Sequence, residues 1–347
     1  MAVAELKAPS RLLTLNRRQL ATGFLVVLIL LVGLASLAIG ATQVPLERVI
    51  ATLLGTGEAR DDLVVLTLRL PRIVAALFVG AGMGIAGAAM QGLYRNPLAD
   101  PGLIGVSSGA ALGAIATIVL GAKYMQYFGV WAVPFGAILG ALAATFLTQA
   151  IGAVRRGEGR TASLLLGGIA INALVGVVIG ILTFIADDRQ LRDLTFWTMG
   201  NVGRADWSGI GIVIGALSIG SFVIIRQARA LDAIALGESG ARHLGVDISG
   251  MRNRIILATA LMVGTATAFC GMIGFVGIVV PHLVRMTLGP GHRHLLPLSA
   301  LGGALLLLTA DLAGRNIAAP LELPVGLMTG AIGAPFFLWL LTRRQPS

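Results

Sequence analysis

Long apolar runs alternate with short polar segments along this chain. Runs at 20–42, 73–93, 104–120, 130–154, 163–186, 208–225, 255–273, 295–312 and 325–341 approach or exceed the ~20 residues an α-helix needs to cross ~30 Å of hydrocarbon. A shorter run at 275–286, broken by Pro281, is read either as a re-entrant segment or as a tenth span; the tenth span is taken here. The pattern predicts an all-α polytopic membrane protein of about ten transmembrane helices per subunit. Pro71 marks the start of the second span and Pro101, behind Asp100 as N-cap, the start of the third, because a first-turn proline gives up an N–H that has no helical partner. Between 187 and 207, Leu191, Leu194, Thr195 and Thr198 recur at helical spacing, which predicts a short interfacial helix.

One polar stretch differs from the other connections. Residues 227–250, QARALDAIALGESGARHLGVDISG, place Leu231, Ile234, Ala235, Ala241 and Leu244 at helical intervals, with Gly237 and Gly245 where helices stop. This predicts two short amphipathic helices folded back on one another. Their apolar face meets either a partner or the chain's own bundle.

Composition agrees with a membrane protein: 56% of residues are hydrophobic, 12% are charged and the mean hydropathy is +0.89. The 47 glycines suit close helix packing. GxxxG pairs at Gly80/Gly84, Gly136/Gly140, Gly176/Gly180, Gly211/Gly215 and Gly326/Gly330 are read as tight packing within one chain before any dimer motif. The apolar run at 20–42 is too long for the core of a cleaved signal and is read as a first anchor. With ten spans and a cytoplasmic N-terminal segment at 1–19, 17 Lys and Arg residues fall inside against 9 outside. This matches the positive-inside rule and puts both termini in the cytoplasm, with 20–347 as a single transmembrane domain. The net charge of +10 is divided among loops, which argues against nucleic acid as a partner.

Candidate chemistry is sparse. Neither Lys7 nor Lys123 sits in a phosphate-binding loop, so ATP, if used, binds another subunit. The single cysteine, Cys270, excludes an intrachain disulfide. His292 and His294 form an H-x-H pair read as a solvated loop in preference to a metal site, and no metal or catalytic residues are assigned. Asp311 and Arg315 stand four apart, a spacing that allows a helical ion pair. An ion-coupled carrier finds few intramembrane carboxylates here.

Four motifs then become specific: RLPRIVAALFVGAGMGIAGAAMQGLYRNPLADPGLIGVSSGAALGA from Arg69, LGESGARHLGVD from Leu236, GFVGIVVPHLVR from Gly274, and ADLAGRNIAAPLELPVGLMTGAIGAPFFLWLL from Ala310. Together they resemble the permease subunits of importers for iron chelates, haem or cobalamin, the FecCD-like type II ABC importers. The resemblance implies a homodimer in the bacterial inner membrane, surrounded by membrane lipid and working with two cytoplasmic ATPase subunits and a periplasmic substrate-binding protein. ATP and Mg would sit on the ATPases, and this subunit would bind no cofactor. It implies binding-protein docking at Arg69, Arg72 and Arg315. It also implies ATPase coupling through Leu236, Glu238, Ala241, Arg242, His243 and Leu244, and a cytoplasmic gate at Asn96, Leu98 and Thr161. Arg160 replaces a small polar residue found in relatives, which weakens the Thr161 half of the gate. The 182–200 region is more similar to haem permeases than to cobalamin ones, so haem is the expected cargo, with iron–siderophore or cobalamin as alternatives.

Overall fold

The computed structural model describes residues 11–121, 127–153, 159–204 and 206–342. The expected cytoplasmic residues before Arg11, and Arg343 and Arg344 at the other end, lie outside that set. Among the described residues the secondary structure is helical throughout. Seven helices are long and apolar enough to cross a membrane, and three shorter apolar helices accompany them.

The chain opens with α1 (Arg11–Ala38), which extends nine residues upstream of the apolar run. The peripheral helix α2 (Leu46–Leu53) and the turn α3 (Ala59–Asp62) follow. A π-helical segment, Leu63–Arg69, then leads directly into α4 (Leu70–Leu93). Pro71 therefore does not begin the span; it lies inside one helical run from Ala59 to Leu93. A proline there has no N–H and crowds the carbonyl four residues back, and the wider π turn just before it relieves that conflict.

Asp100 does cap the next element, its Oδ1 accepting from Gly102 N at 2.7 Å. The capped element is a short 3₁₀ turn, Pro101–Ile104, and α5 (Val106–Leu120) begins after left-handed Gly105. Then come α6 (Ala132–Ala153), α7 (Gly159–Ile185) and the expected outer helix α8 (Asp188–Thr198), closed at its start by an Asp187–Gln190 capping box. After α9 (Trp207–Arg226), the polar stretch folds as the two expected short helices, α10 (Ala228–Ile234) and α11 (Glu238–His243). Gly237 and Gly245 take the positive φ that ends each. The chain finishes with α12 (Ile248–Cys270), α13 (Val276–Leu288), α14 (His292–Ile317) and α15 (Val325–Thr342). His292 and His294 thus sit in the first turn of α14, where a solvated loop was expected, because the helix starts two residues after Pro290.

Helices α4 and α12 form the centre, each with 78% of its apolar window buried, whereas α1 has 11% and presents Leu20, Phe24, Val27, Leu31 and Leu34 outward. The closest packing joins α4 to α14. A Cβ on Gly80 would stand 2.2 Å from Gly303 O, and one on Gly84 would stand 2.1 Å from Ser299 O. Backbone therefore meets backbone, and dispersion contacts accumulate that larger residues would prevent. Gly136 and Gly140 on α6 meet Gly113 and Gly109 on α5 in the same way. Gly176, Gly180, Gly211 and Gly215 have nothing within 4 Å, so the intrachain reading of GxxxG holds for some pairs and leaves α7 and α9 open.

Gly84→Leu is expected to destabilise the fold by at least about 3 kcal/mol, the upper part of the range for overpacking, because the obstacle is backbone. Gly180→Leu is expected to leave the melting temperature of the detergent-solubilised chain unchanged. Equal melting of the two variants would contradict the packing described.

Candidate functional site

Two polar clusters lie at opposite ends of the α4–α14 pair. The first gathers Arg69 and Arg72 from the start of α4, Asp311 and Arg315 from the end of α14, and Glu322 from the following connection. Asp311 has a fully buried side chain, and a carboxylate removed from water needs close cations. Arg72 supplies one as a fork, with Nε and Nη2 each 2.8 Å from Oδ1. Arg315, one turn along α14, supplies a second ion pair at 3.3 Å. The other edge of Arg72 donates from Nη1 to Glu322 Oε2 at 2.7 Å.

All three arginines expected at a docking surface are engaged inside the chain. Arg315 also donates to the Ser36 carbonyl and hydroxyl. Arg69 donates to the carbonyls of Leu37 and Thr42, and Gly40 leaves the room for its guanidinium. Arg69 and Arg315 are 6% and 5% exposed, and the Arg72 side chain is 12% exposed. The Arg315–Asp311 pair was legible from its spacing. The partners Ser36 and Glu322 were not, since nothing local in the sequence links Ser36 to Arg315 or Glu322 to Arg72.

The second cluster is the 227–250 loop. Leu231, Ile234 and Ala241 turn inward and are buried. Leu236 and Leu244, at 72% and 64% exposure, stand outward beside exposed Arg242 and His243. Leu244 shares the helical spacing of the buried residues but stands apart from them. The end of α11 and the left-handed turn at Gly245 direct it outward.

Glu238 is buried at 5% exposure, and Arg252 Nη2 from the first turn of α12 donates to its Oε1 at 2.6 Å. Arg242 lies 3.6 Å from its other oxygen. Of the six residues expected to touch an ATPase, Leu236, Arg242, His243 and Leu244 form the outer surface, while Glu238 and Ala241 anchor the loop beneath it. A second anchor went unseen in the sequence: Asp232 Oδ1 accepts from His292 N at 2.8 Å and from His292 Nδ1 at 2.7 Å, joining α10 to α14. Gly92 makes room for that imidazole.

The segment after α4 lies beside this loop. Asn96 is exposed, and its Oδ1 accepts from Leu98 N at 2.9 Å, fixing a tight turn with Leu98 half-buried. Thr161 falls in the first turn of α7, and its side chain lies outside the described residues. Burial raises the Asp100 carboxyl above the usual carboxylate range, against the pull of the Gly102 N–H. A cleft of about 420 Å³, lined by Arg95, Asn96, Asp232, Arg285 and His292, separates the turn from α10.

The FecCD transport family model matches residues 28–343, which include both clusters, the last part of α1 and every later long apolar helix. The chain belongs to the FecCD transport family. This FecCD chain is 43% identical over 328 residues to the hemin transport system permease protein HmuU of Yersinia pestis, covering 94% of this chain and 96% of that one. It is 42% identical over 284 residues to the cobalamin import system permease protein BtuC of Halobacterium salinarum, covering 82% and 74%. A solved inward-facing structure assigned to the metal-chelate type of ABC transporter superposes with a TM-score of 0.82 at 30% identity, covering 93% of this chain and 98% of that one. The FecCD chain is accordingly a permease subunit of an ABC importer and a polytopic membrane protein.

Arg252→Met removes the closest partner of Glu238 and is expected to destabilise the loop by about 3 kcal/mol. Faster proteolytic cleavage within 235–247 would report it. Glu238→Gln in the same chain should restore much of the protection, and equal cleavage of the single and double variants would show that the pair does not hold the loop.

Proposed function

We propose that this permease carries haem from the periplasmic side to the cytoplasm, as a homodimer in the inner membrane, when two ATPase subunits close on ATP and Mg. The single observation that carries the cargo is the hemin permease relative, which aligns over nearly the whole of both chains. Cobalamin is the second reading, favoured by permeases at 40–44% identity over somewhat less of the chain. An iron–siderophore complex is the third, and the metal-chelate type of the solved neighbour favours it.

In this reading the three shorter apolar helices also cross the membrane, giving ten spans with both termini cytoplasmic. At about 1.5 Å per residue, the 13 residues of α13 reach roughly 20 Å, so its crossing relies on the connections at each end. Partner chains would cover the outward faces of α7 and α15, where Leu166, Leu174, Val177, Ile181, Phe184 and Leu338 are exposed. A pathway between these helices is mostly apolar and suits a bulky amphipathic cargo that must not be held tightly.

The ATPase subunits would receive Leu236, Arg242, His243 and Leu244, with Glu238 and Ala241 setting the loop's angle. A stiff loop transmits a push; a loose one absorbs it. Asn96, Leu98 and Thr161 would close the cytoplasmic end. Arg72 would meet a carboxylate of the periplasmic binding protein, with Arg69 and Arg315 behind it holding the surface in shape. Against an ion-coupled carrier stands Asp311, a carboxylate already matched by two arginines.

ATP-dependent uptake in proteoliposomes holding permease, ATPase and binding protein, compared for haem, an iron–siderophore and cobalamin, tests the proposal. Haem uptake that needs ATP is expected; ATP-dependent uptake of another chelate replaces the cargo, and uptake driven by an ion gradient alone overturns the reading. Arg72→Gln is expected to weaken capture of the loaded binding protein about tenfold. Both Arg72→Gln and Arg315→Gln strip a partner from buried Asp311 and should cost stability, about 3 kcal/mol each, but Arg315→Gln should leave capture by the folded protein unchanged. Unchanged capture by a folded Arg72→Gln protein would remove Arg72 from the docking surface.

A further inference from the structure

Where α9 ends and the coupling loop begins, three arginines surround a cleft of about 400 Å³. Arg226 closes α9, Arg229 lies in the first turn of α10, and Arg293 lies in the first turn of α14. Ile225, Leu296 and Pro297 form apolar wall beside them. All three guanidinium-bearing residues are exposed, and among the described residues none forms an ion pair with an acid. Asp232, the carboxylate of the adjoining turn, is bonded to His292. The cleft therefore gathers three arginines that no acid pairs, with the single carboxylate of Asp232 at its edge held by His292, and the positive charge is in excess.

Its upper edge is different in kind. The Arg226 guanidinium lies 5.4 Å from the centre of the Phe222 ring, and Phe222 and Ile219 continue up α9 as exposed apolar side chains. Positive charge at the base and an apolar track above match a molecule with an anionic head and a hydrocarbon tail. Guanidinium groups take phosphate oxygens in pairs, and basic pockets between helices at the cytoplasmic boundary suit anionic head groups. A free phosphate ion would use the arginines and leave Phe222 and Ile219 without a role.

We propose that this cleft binds the phosphate head group of an anionic phospholipid of the cytoplasmic leaflet, with an acyl chain lying along Ile219 and Phe222. The site rests on the orientation proposed above, in which residues 227–250 face the cytoplasm. A lipid held there bridges α9 and α10 to the start of α14. It braces the junction that Asp232 and His292 close from the other side, and so helps to seat the coupling loop.

The test uses the assembled transporter in nanodiscs containing equal amounts of phosphatidylglycerol and phosphatidylcholine with identical chains, with the retained lipid read by native mass spectrometry. Phosphatidylglycerol is expected to be enriched on the wild-type protein. The triple variant Arg226→Gln, Arg229→Gln, Arg293→Gln should lose about tenfold of that enrichment, and the matching triple lysine variant should keep most of it. If the glutamine set does not fold, single Arg229→Gln is read against the lysine set in the same way.

Undiminished enrichment in a folded glutamine variant overturns the proposal. So does displacement of the lipid by millimolar inorganic phosphate, which would mark a free-anion site, and so does loss of the ATPase with lipid retention unchanged, which would mark a protein contact. Arg229→Cys, the native Cys270 being buried, should react with a membrane-impermeant maleimide only in inside-out vesicles. Reaction in right-side-out vesicles would show that the orientation has failed, separately from the site.

Discussion

The contact on which most of this molecule depends is the one between α4 and α14, where glycines let two backbones touch. Because a Cβ at Gly80 or Gly84 would collide with a carbonyl oxygen, the two helices share one narrow spacing over several turns. Close helices bring their ends together as well. At one end the proximity lets Arg72 reach Asp311; at the other it puts His292 against Gly92 and within reach of Asp232. The Arg72–Asp311 pair follows from the apolar seam, since a wider spacing of α4 and α14 would draw its two partners apart.

The two clusters solve the same physical problem in different ways. A buried carboxylate is tolerable only when cations and donors replace the water it has lost. Asp311 is matched by two arginines that are themselves bonded to backbone and side-chain acceptors, which makes that end of the pair rigid and self-contained. Glu238 is matched by Arg252 underneath and by Arg242 near the surface, so its loop is fastened on one side and open on the other. A surface built this way can offer Leu236 and Leu244 to a partner without collapsing around them.

Much of the architecture was legible in the sequence because hydrophobic length and glycine placement are local properties. The long apolar helices, the short helix after Asp187, the paired short helices at 227–250 and the stop at Gly237 all follow from residues within a turn or two of each other. What was not legible depends on distant pairs. Glu238 and Arg252 are 14 residues apart, Asp232 and His292 are 60 apart, and Arg72 and Glu322 are 250 apart; no spacing rule connects them. Arg69 and Arg315 read as surface arginines for the same reason, since their burial is decided by Ser36 and Leu37 on α1 and Thr42 just after it. Pro71 misled through a sound local rule, because a π turn lets the helix pass through it.

That π turn, Leu63–Arg69, also sets an angular phase. Each residue added to a helix turns the next by about 100°, so the extra residue held in a π turn rotates everything upstream relative to α4. The stretch that begins at Ala59 is thereby aimed independently of the part of the helix that carries Gly80 and Gly84. A chain lacking one residue here would still form a helix of nearly the same length and hydropathy. Its first stretch would face a different direction from the rest, like a key cut correctly and turned in the wrong lock.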